Sequence, residues 1–325
     1  MPYDSTMDDA RTRSFWPFQL ACAADQHAAS RCRKHEDCMR ETAHGSVFTA
    51  NRPVMMAAAF HITGSRDDAE DVVQSAWETW SRIDVATVHN PPAFLSVMAG
   101  RLALNAVRTQ RRRRETYLGP WLPDPIVDDG SPEWAVLHRD GLGQALDFVL
   151  STLTPEQATA YVLRKVLEVD YESIAEVVEV SPAAARQLVS RAQRAVTASL
   201  GTLHGDQRSR DGAALSALAD AVISGDVMLI AALLSPEATL YSDGGGTVNA
   251  ALRPVHGAEK IARFLVGIAA QPGVVLVPSV INGSAGLVIQ EGANVTTTIS
   301  LRAGLDGIVA MYFVRNPDKL RRVQP

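Results

Sequence analysis

Apolar residues recur along this chain at two different periods, and the change between them divides it. From residue 51 to about residue 200 the period is helical. Residues 51–62 are apolar and rich in alanine and methionine until Gly64 interrupts them. Ser65 then reads as the N-cap of a helix whose first turn holds Asp67 and Asp68, carboxylates suited to the positive end of the helix dipole. Its buried stripe is Ala69, Val72, Val73, Ala76, Trp77 and Trp80, while Glu70, Asp71, Gln74 and Glu78 face outward. Asn90-Pro91-Pro92 starts a helix over roughly 92–113, with Phe94, Leu95, Met98, Leu102 and Ala106 on its inner side. Residues 154–196 read as three short helices ending in a helix-turn-helix. Ser181 caps the last of them, Pro182 takes its first position, and Ala185, Leu188, Val189, Ala192 and Val196 form its buried face. After residue 213 the texture changes. A helical stretch over 213–235 leads to a strand at 238–242 and a helix at 257–270. Strands follow near 274–281, 285–291, 294–302 and 307–315, separated by glycine-containing turns. Helices followed by an antiparallel meander make an α+β domain.

The length of 325 residues suits about two or three domains. The expected division is multidomain. A tail without periodicity occupies 1–45 and is expected to be disordered. A helical block spans 46–116 and a linker 117–140. The helix-turn-helix block spans 141–200, a second linker 201–212, and the α+β domain 213–325. The first linker is rich in proline, aspartate and glycine, which reads as a semi-rigid acidic tether. Within it Trp121 and Leu122 are apolar and expected to dock on something.

Net charge is −5, so the total argues for no anionic partner; the distribution does. The helix after Ser181 carries Arg186, Gln187, Ser190, Arg191 and Arg194 on its polar face with no acid among them. Guanidinium and amide groups so arranged can meet base edges or phosphates in a major groove. An ordinary helical piece with a solvated basic face is the plain alternative. The helix of 92–113 ends in a second basic field: Arg101, Arg108, Arg111, Arg112, Arg113 and Arg114 fall within fourteen residues without an acid.

No apolar run approaches the roughly 20 residues that span a bilayer, and the N-terminus lacks a signal-peptide core. The three cysteines, Cys22, Cys32 and Cys38, are odd in number and fit a reducing cytoplasm, which is the expected location. With His27, His35 and His44 they suggest a zinc site only weakly, since their spacing matches no strong pattern, and no metal or cofactor is expected.

The segment Gly64-Ser65-Arg66-Asp67-Asp68-Ala69-Glu70-Asp71-Val72-Val73-Gln74-Ser75-Ala76-Trp77 resembles region 2 of the extracytoplasmic-function sigma factors, the smallest of the sigma-70 class. Residues 142–200 resemble their region 4. Three short signatures resemble those of a subgroup with a C-terminal SnoaL-like domain: Trp121-Leu122-Pro123-Asp124-Pro125, Asp243-Gly244-Gly245-Gly246 and Asn316-Pro317-Asp318-Lys319-Leu320. Two departures stand out. Asp124 replaces the usual glutamate, and Thr247 replaces a usual lysine after the triple glycine, which puts in question any charge contact made by that loop.

The resemblance implies an all-α region 2, an all-α region 4 and an α+β SnoaL-like cone. It implies that Asp68, Glu70, Asp71 and Gln74 bind core RNA polymerase. The helix of 92–114, with Asn105, Arg108, Arg111, Arg112, Arg113 and Arg114, would meet the −10 promoter element and hold a base flipped on melting. Arg186, Gln187, Ser190, Arg191 and Arg194 would read the −35 element. The three signatures would form an interdomain, regulatory contact, with residues 316–320 packed on the Trp121 linker. The expected partners are core polymerase and promoter DNA, with a small-molecule ligand in the C-terminal pocket as a further candidate and no membrane. No catalysis is expected. Two rivals remain at this stage: an operator-binding regulator with a ligand-sensing domain, and a SnoaL-type cyclase or isomerase using Asp243 or His256 as acid or base.

Overall fold

A computed structural model of the chain describes residues 35–127, 134, 143–200, 207–269 and 273–323. The chain divides into two units, residues 1–46 and 47–325, and everything below except residues 35–46 belongs to the second.

Helix α1 (His35–Thr63) starts well before residue 51, where the apolar pattern begins. The segment from His35 to Gly45 has no apolar stripe, so its period is silent, yet glutamate, arginine, methionine and alanine there are good helix formers. Residues 35–45 therefore correct the expectation of a disordered tail, while 1–34 lie outside the described residues. Helix α2 (Arg66–Trp80) is capped by Ser65 as expected, and Ala69, Val72, Val73, Ala76 and Trp80 are buried. Trp77 is only half-buried, edge-on to Phe48 at 5.0 Å. Helix α3 (Pro91–Glu115) starts under Asn90, whose Oδ1 accepts from the Ala93 N–H at 3.2 Å. Its buried apolar side chains are Leu95, Ala99, Ala103, Leu104 and Val107. Phe94, expected inside, is 37 % exposed, with its ring tilted against Trp80 at 6.1 Å between centroids.

The second helical group is α4 (Gly143–Thr152), α5 (Pro155–Lys165), α6 (Tyr171–Val178) and α7 (Pro182–Leu200). A capping box at Thr154 and Gln157 starts α5, and Asp170 caps α6. Glu179, at φ 60°, makes the left-handed turn between α6 and α7.

The stretch predicted as one helical run after residue 213 is two helices and a strand start. Helix α8 (Gln207–Ser224) ends at Gly225, whose φ of +70° is the left-handed conformation that glycine adopts without strain. Asp226 then caps α9 (Val227–Leu233), accepting from the N–H groups of Met228 and Leu229. The sheet follows: β1 (Leu234–Asp243), β2 (Val255–His256), then α10 (Ala258–Ala269), β3 (Val274–Ile281), β4 (Ser284–Glu291), β5 (Asn294–Gly304) and β6 (Gly307–Val314). A short helix, α11 (Pro317–Leu320), follows it.

Strand order is β2-β1-β6-β5-β4-β3. Strands β3 to β6 form the expected meander, but β1 pairs with β6 in parallel, so the first strand closes the sheet beside the last. The sheet has two apolar faces. Leu287, Ile289, Ile299, Met311 and Phe313 share a core with α8 and α10. On the other side Val288, Tyr312 and Val314 belong to the core of the helical groups. Phe148 of α4 packs there against Tyr241 at 4.5 Å and Tyr312 at 5.4 Å between ring centroids. Aromatic pairs of this kind contribute about 0.5–1.5 kcal/mol beyond their buried area.

Candidate functional site

On α7 the helical repeat brings residues three, four and eight positions apart onto one face. Arg186, Gln187, Ser190, Arg191 and Arg194 are all exposed and together line one shallow concavity of about 350 Å³. Ser181 Oγ accepts from the Ala184 N–H at 3.3 Å, which fixes the helix start. The Arg186 guanidinium lies over the Tyr171 ring at 5.1 Å and within 3.5 Å of Glu172, both on α6. The buried side of α7 is Ala185, Val189, Ala192, Val196 and Leu200. Four side chains of guanidinium or amide type and one hydroxyl, presented together on a rigid helix, match the chemistry of phosphate and base-edge recognition.

The other basic helix is placed differently. Asn105 and Arg108 of α3 are exposed, but Arg108 Nε donates to Glu156 Oε1 at 3.0 Å and its Nη1 lies 3.9 Å from Glu179. Burial raises the Glu156 pKa, but the helix-start N–H groups and Arg108 outweigh it and hold it below the usual carboxylate range. Arg101 donates to the Glu176 carbonyl at 3.2 Å. Leu104 is buried in one cluster with Leu163, Ile174, Val178 and Val189. At Gly100 a Cβ would lie 2.7 Å from Leu163 Cδ2, so any larger residue would push the Leu163 side chain aside where α3 meets α5. The two helical groups therefore pack face to face, which corrects the expectation of two blocks held apart by a tether. Arg111, Arg112, Arg113 and Arg114 close α3, and their side chains lie outside the described part of the structure.

On α2, Asp71 and Gln74 are exposed and Asp68 and Glu70 half-buried. Arg322, from the C-terminal end of the chain, reaches this face: Nη1 is 2.7 Å from Glu70 and Nη2 2.9 Å from Asp67. Burial pushes the Glu70 carboxyl up, but hydrogen bonds from Arg322 and Arg66 outweigh it and leave its pKa lowered.

The three signature segments meet around Asp243, which is fully buried. Its Oδ1 accepts from Tyr117 OH at 2.5 Å and from the Gly245 N–H at 3.1 Å. Its Oδ2 accepts from the Leu122 N–H at 2.9 Å and pairs with Lys319 Nζ at 3.0 Å. Lys319 also donates to the Leu122 carbonyl and sits 4.0 Å from the centroid of Trp121. Asn316 caps α11 and donates to the Tyr117 oxygen at 2.9 Å. Gly245, at φ +63°, approaches the Asn316 side chain so closely that a Cβ would fall 2.5 Å from it. The Trp121 segment also holds the start of α2. Asp124 Oδ2 accepts from the Arg66 N–H at 2.9 Å, and Asp124 N donates to the Gly64 carbonyl at 2.9 Å. Burial raises the Asp124 pKa against the pull of Lys319 3.9 Å away. Thr247 makes no charge contact: it closes its own turn, donating to the Gly244 carbonyl.

A second buried junction was not foreseen. Asp147 of α4 accepts from Asn282 Nδ2 at 2.9 Å and lies 2.6 Å from His61 Nδ1 of α1. Asn282 Oδ1 accepts from the Ile126 N–H at 2.6 Å, and Val127 bridges to Ile281. Gln144 joins the same seam, donating to the Pro123 carbonyl and accepting from Ser300. Arg302 of β5 donates to the Leu200 carbonyl at the end of α7, 2.8 Å away. The only local signal was Asn282-Gly283, which announces a tight turn but not a side-chain contact. Residues 117–127 thus run as a packed strap rather than a free tether.

Of the two residues weighed as acid or base, Asp243 is spent on four partners, and His256 is exposed on β2 beside Thr239. Neither lines the cavity of the sheet domain. Cys22, His27 and Cys32 lie outside the described residues. Among the described residues no group of three or more His, Cys, Asp or Glu side chains could hold a metal ion. No described helix is long and apolar enough to cross a membrane.

Comparison with known proteins gives matches across the chain. Residues 47–113 match sigma-70 region 2, and residues 143–196 match sigma-70, region 4. The ECF RNA polymerase sigma factor SigJ of Mycobacterium tuberculosis (strain ATCC 25618 / H37Rv) is 36 % identical over 303 residues, covering 86 % of this chain and 96 % of the relative. The probable ECF RNA polymerase sigma factor SigI of M. tuberculosis is 28 % identical over 157 residues, 47 % of this chain and 54 % of that protein. The crystal structure of M. tuberculosis SigJ superimposes with a TM-score of 0.69 at 31 % identity, covering 85 % of this chain and 98 % of that one.

Proposed function

Since the chain belongs to the extracytoplasmic-function RNA polymerase sigma factors of the sigma-70 class, with a SnoaL-like C-terminal domain, we propose how its surfaces divide that work. α7 reads the −35 element through Arg186, Gln187, Ser190, Arg191 and Arg194. The polar side of α3, with Asn105, Arg108 and the arginines of 111–114, holds the melted −10 element. Asp68, Glu70, Asp71 and Gln74 on α2 bind core polymerase. Sigma factors are not enzymes, and this chain is proposed to act by binding alone. The observation that carries this reading is the joint exposure of five DNA-competent side chains on one helix, α7. In vitro transcription with core polymerase tests it: promoter-dependent initiation is expected, and no start point on any promoter would overturn it.

The arrangement described here is proposed to be a closed form. Arg108 is occupied by Glu156 and Glu179, and the acidic face of α2 by Arg322, so both partners must displace contacts within the chain. The C-terminal domain tunes promoter use by holding this form, and its cavity is the place for any small-molecule effector. The segments 117–127 and 316–322 act as its latch. Domain limits near 46–116, 141–200 and 213–325 remain the proposed division of labour.

Two outcomes follow. Arg191→Ala should cost about 1–3 kcal/mol of −35 affinity if the side chain reads a base, with discrimination relaxed at one position. Gel-shift titration over single-base promoter variants checks it; uniform weakening with a smaller salt slope would make it a phosphate contact instead. Arg322→Glu should expose Asp67 and Glu70 and raise the affinity for core polymerase several-fold. The gain is modest because exposed ion pairs contribute about 0–1 kcal/mol each. Competition binding of labelled protein to core polymerase measures it, and unchanged affinity would remove Arg322 from the latch.

A further inference from the structure

We propose that the cavity inside the sheet domain binds an uncharged, predominantly hydrocarbon small molecule. This rests on the reading of that domain as effector-binding and narrows it to a chemical class. The cavity measures about 490 Å³, within the range of pockets that enclose a drug-sized ligand. Its walls are Leu218 of α8, Leu265 of α10, and Leu287, Ile299, Met311 and Phe313 of the sheet. Its mouth is marked by Ile223 and Val275, which are 74 % and 54 % exposed.

Every lining side chain among the described residues is hydrocarbon, apart from the thioether of Met311. Among the described residues, no carboxylate, ammonium, guanidinium, imidazole, hydroxyl or amide side chain faces in. A charged ligand would leave water for an environment with no counter-charge, at a cost no contact here offsets. An apolar ligand removes both its own surface and the cavity walls from water, at about 25 cal/mol per Å². The same absence argues against chemistry in the pocket, since an acid or base would have to come from the lining. The position also suits a regulator. Strand β6 alternates, so Met311 and Phe313 face the cavity while Tyr312 faces Phe148 of α4 across a single sheet.

The test uses the full-length protein and N-phenyl-1-naphthylamine, a neutral fluorophore. Its emission should rise and saturate at one equivalent. Decanol should displace it at a concentration at least about tenfold lower than decanoate or decylammonium. Ala219→Trp, which fills the cavity from α8, should weaken probe binding at least tenfold. In the wild-type protein, with methionine methyl groups labelled, an intermolecular NOE should link decanol to the Met311 methyl; this reading holds even if Ala219→Trp does not fold. Absence of that NOE, or undiminished probe binding by a folded Ala219→Trp variant, overturns the site. Decanoate or decylammonium bound there as tightly as decanol overturns the class while leaving the domain an effector-binding one.

Discussion

Asp243→Ala is expected to lower the unfolding free energy by about 3–5 kcal/mol, the range for removing one partner of a buried ion pair. Lys319 would keep its charge and lose the nearer carboxylate, with Asp124 3.9 Å away, and its side chain is 9 % exposed. The Leu122 N–H and the Tyr117 hydroxyl would each lose an acceptor at the same time. Burial and the neighbouring Asp243 both raise the Tyr117 pKa, so the phenol stays protonated and needs that acceptor. Asp243→Asn should cost less, because an amide oxygen can still accept from the Leu122 N–H. Urea unfolding followed by tryptophan fluorescence measures both, and Trp121 lies at the junction itself. A loss below about 1 kcal/mol for the alanine variant would mean that water replaces the carboxylate there and that the junction is no latch. The transcriptional corollary separates stability from regulation. Asp243 touches neither α7 nor the outer face of α2, so a folded variant should start transcription at lower concentration than the parent.

Helix α7 and its reading face were legible because everything needed is local. A cap, a proline and a period of 3.6 residues place Arg186 and Arg194 on the same side whatever the helix packs against. The sheet meander was legible for the same reason, since alternation and glycine turns act within a few residues. The parallel pairing of β1 with β6 was not, because it joins strands more than 60 residues apart and leaves no mark on either. The strap of 117–127 misled for a different reason. Proline, aspartate and glycine report the absence of regular structure, and absence of regular structure is not absence of packing. Leu122 and Ile126 are buried all the same, with their backbone groups satisfied by Asp243 and Asn282. The resemblance to known signatures reached further than periodicity: it gave the segments holding Asp243 and Lys319 one interdomain role and put residues 316–320 on the Trp121 linker, without pairing the two side chains. Neither route reached Arg322 on Glu70, or His61 and Asn282 on Asp147, where partners 86 to 252 residues apart meet through single side chains.

That second junction leads to the other large effect. Asp147 touches all three parts: His61 from the first helical group, its own α4 in the second, and Asn282 from the sheet domain. Asn282 in turn fixes the strap through Ile126. All three side chains are at least 95 % buried, so water has little access to replace a lost partner. Asp147→Ala should therefore cost about 2–4 kcal/mol, one orphaned buried group on each side of the deletion. Double-mutant cycles apportion it. If the junction acts as a unit, adding His61→Ala or Asn282→Ala to Asp147→Ala should cost at least about 1 kcal/mol less than the same change in the parent chain, because the interaction is already gone. Strict additivity of both cycles in urea unfolding would reduce the junction to two separate contacts. The functional sign is fixed by where the contacts lie. Asp147, His61 and Asn282 face inward, away from Arg191, Asn105 and Asp71. Loosening them removes what holds the closed form without touching the groups proposed to meet promoter or polymerase. In a folded Asp147→Ala variant, promoter-directed transcription at limiting protein should rise, and a fall would mean that the closed form is itself the one that engages polymerase.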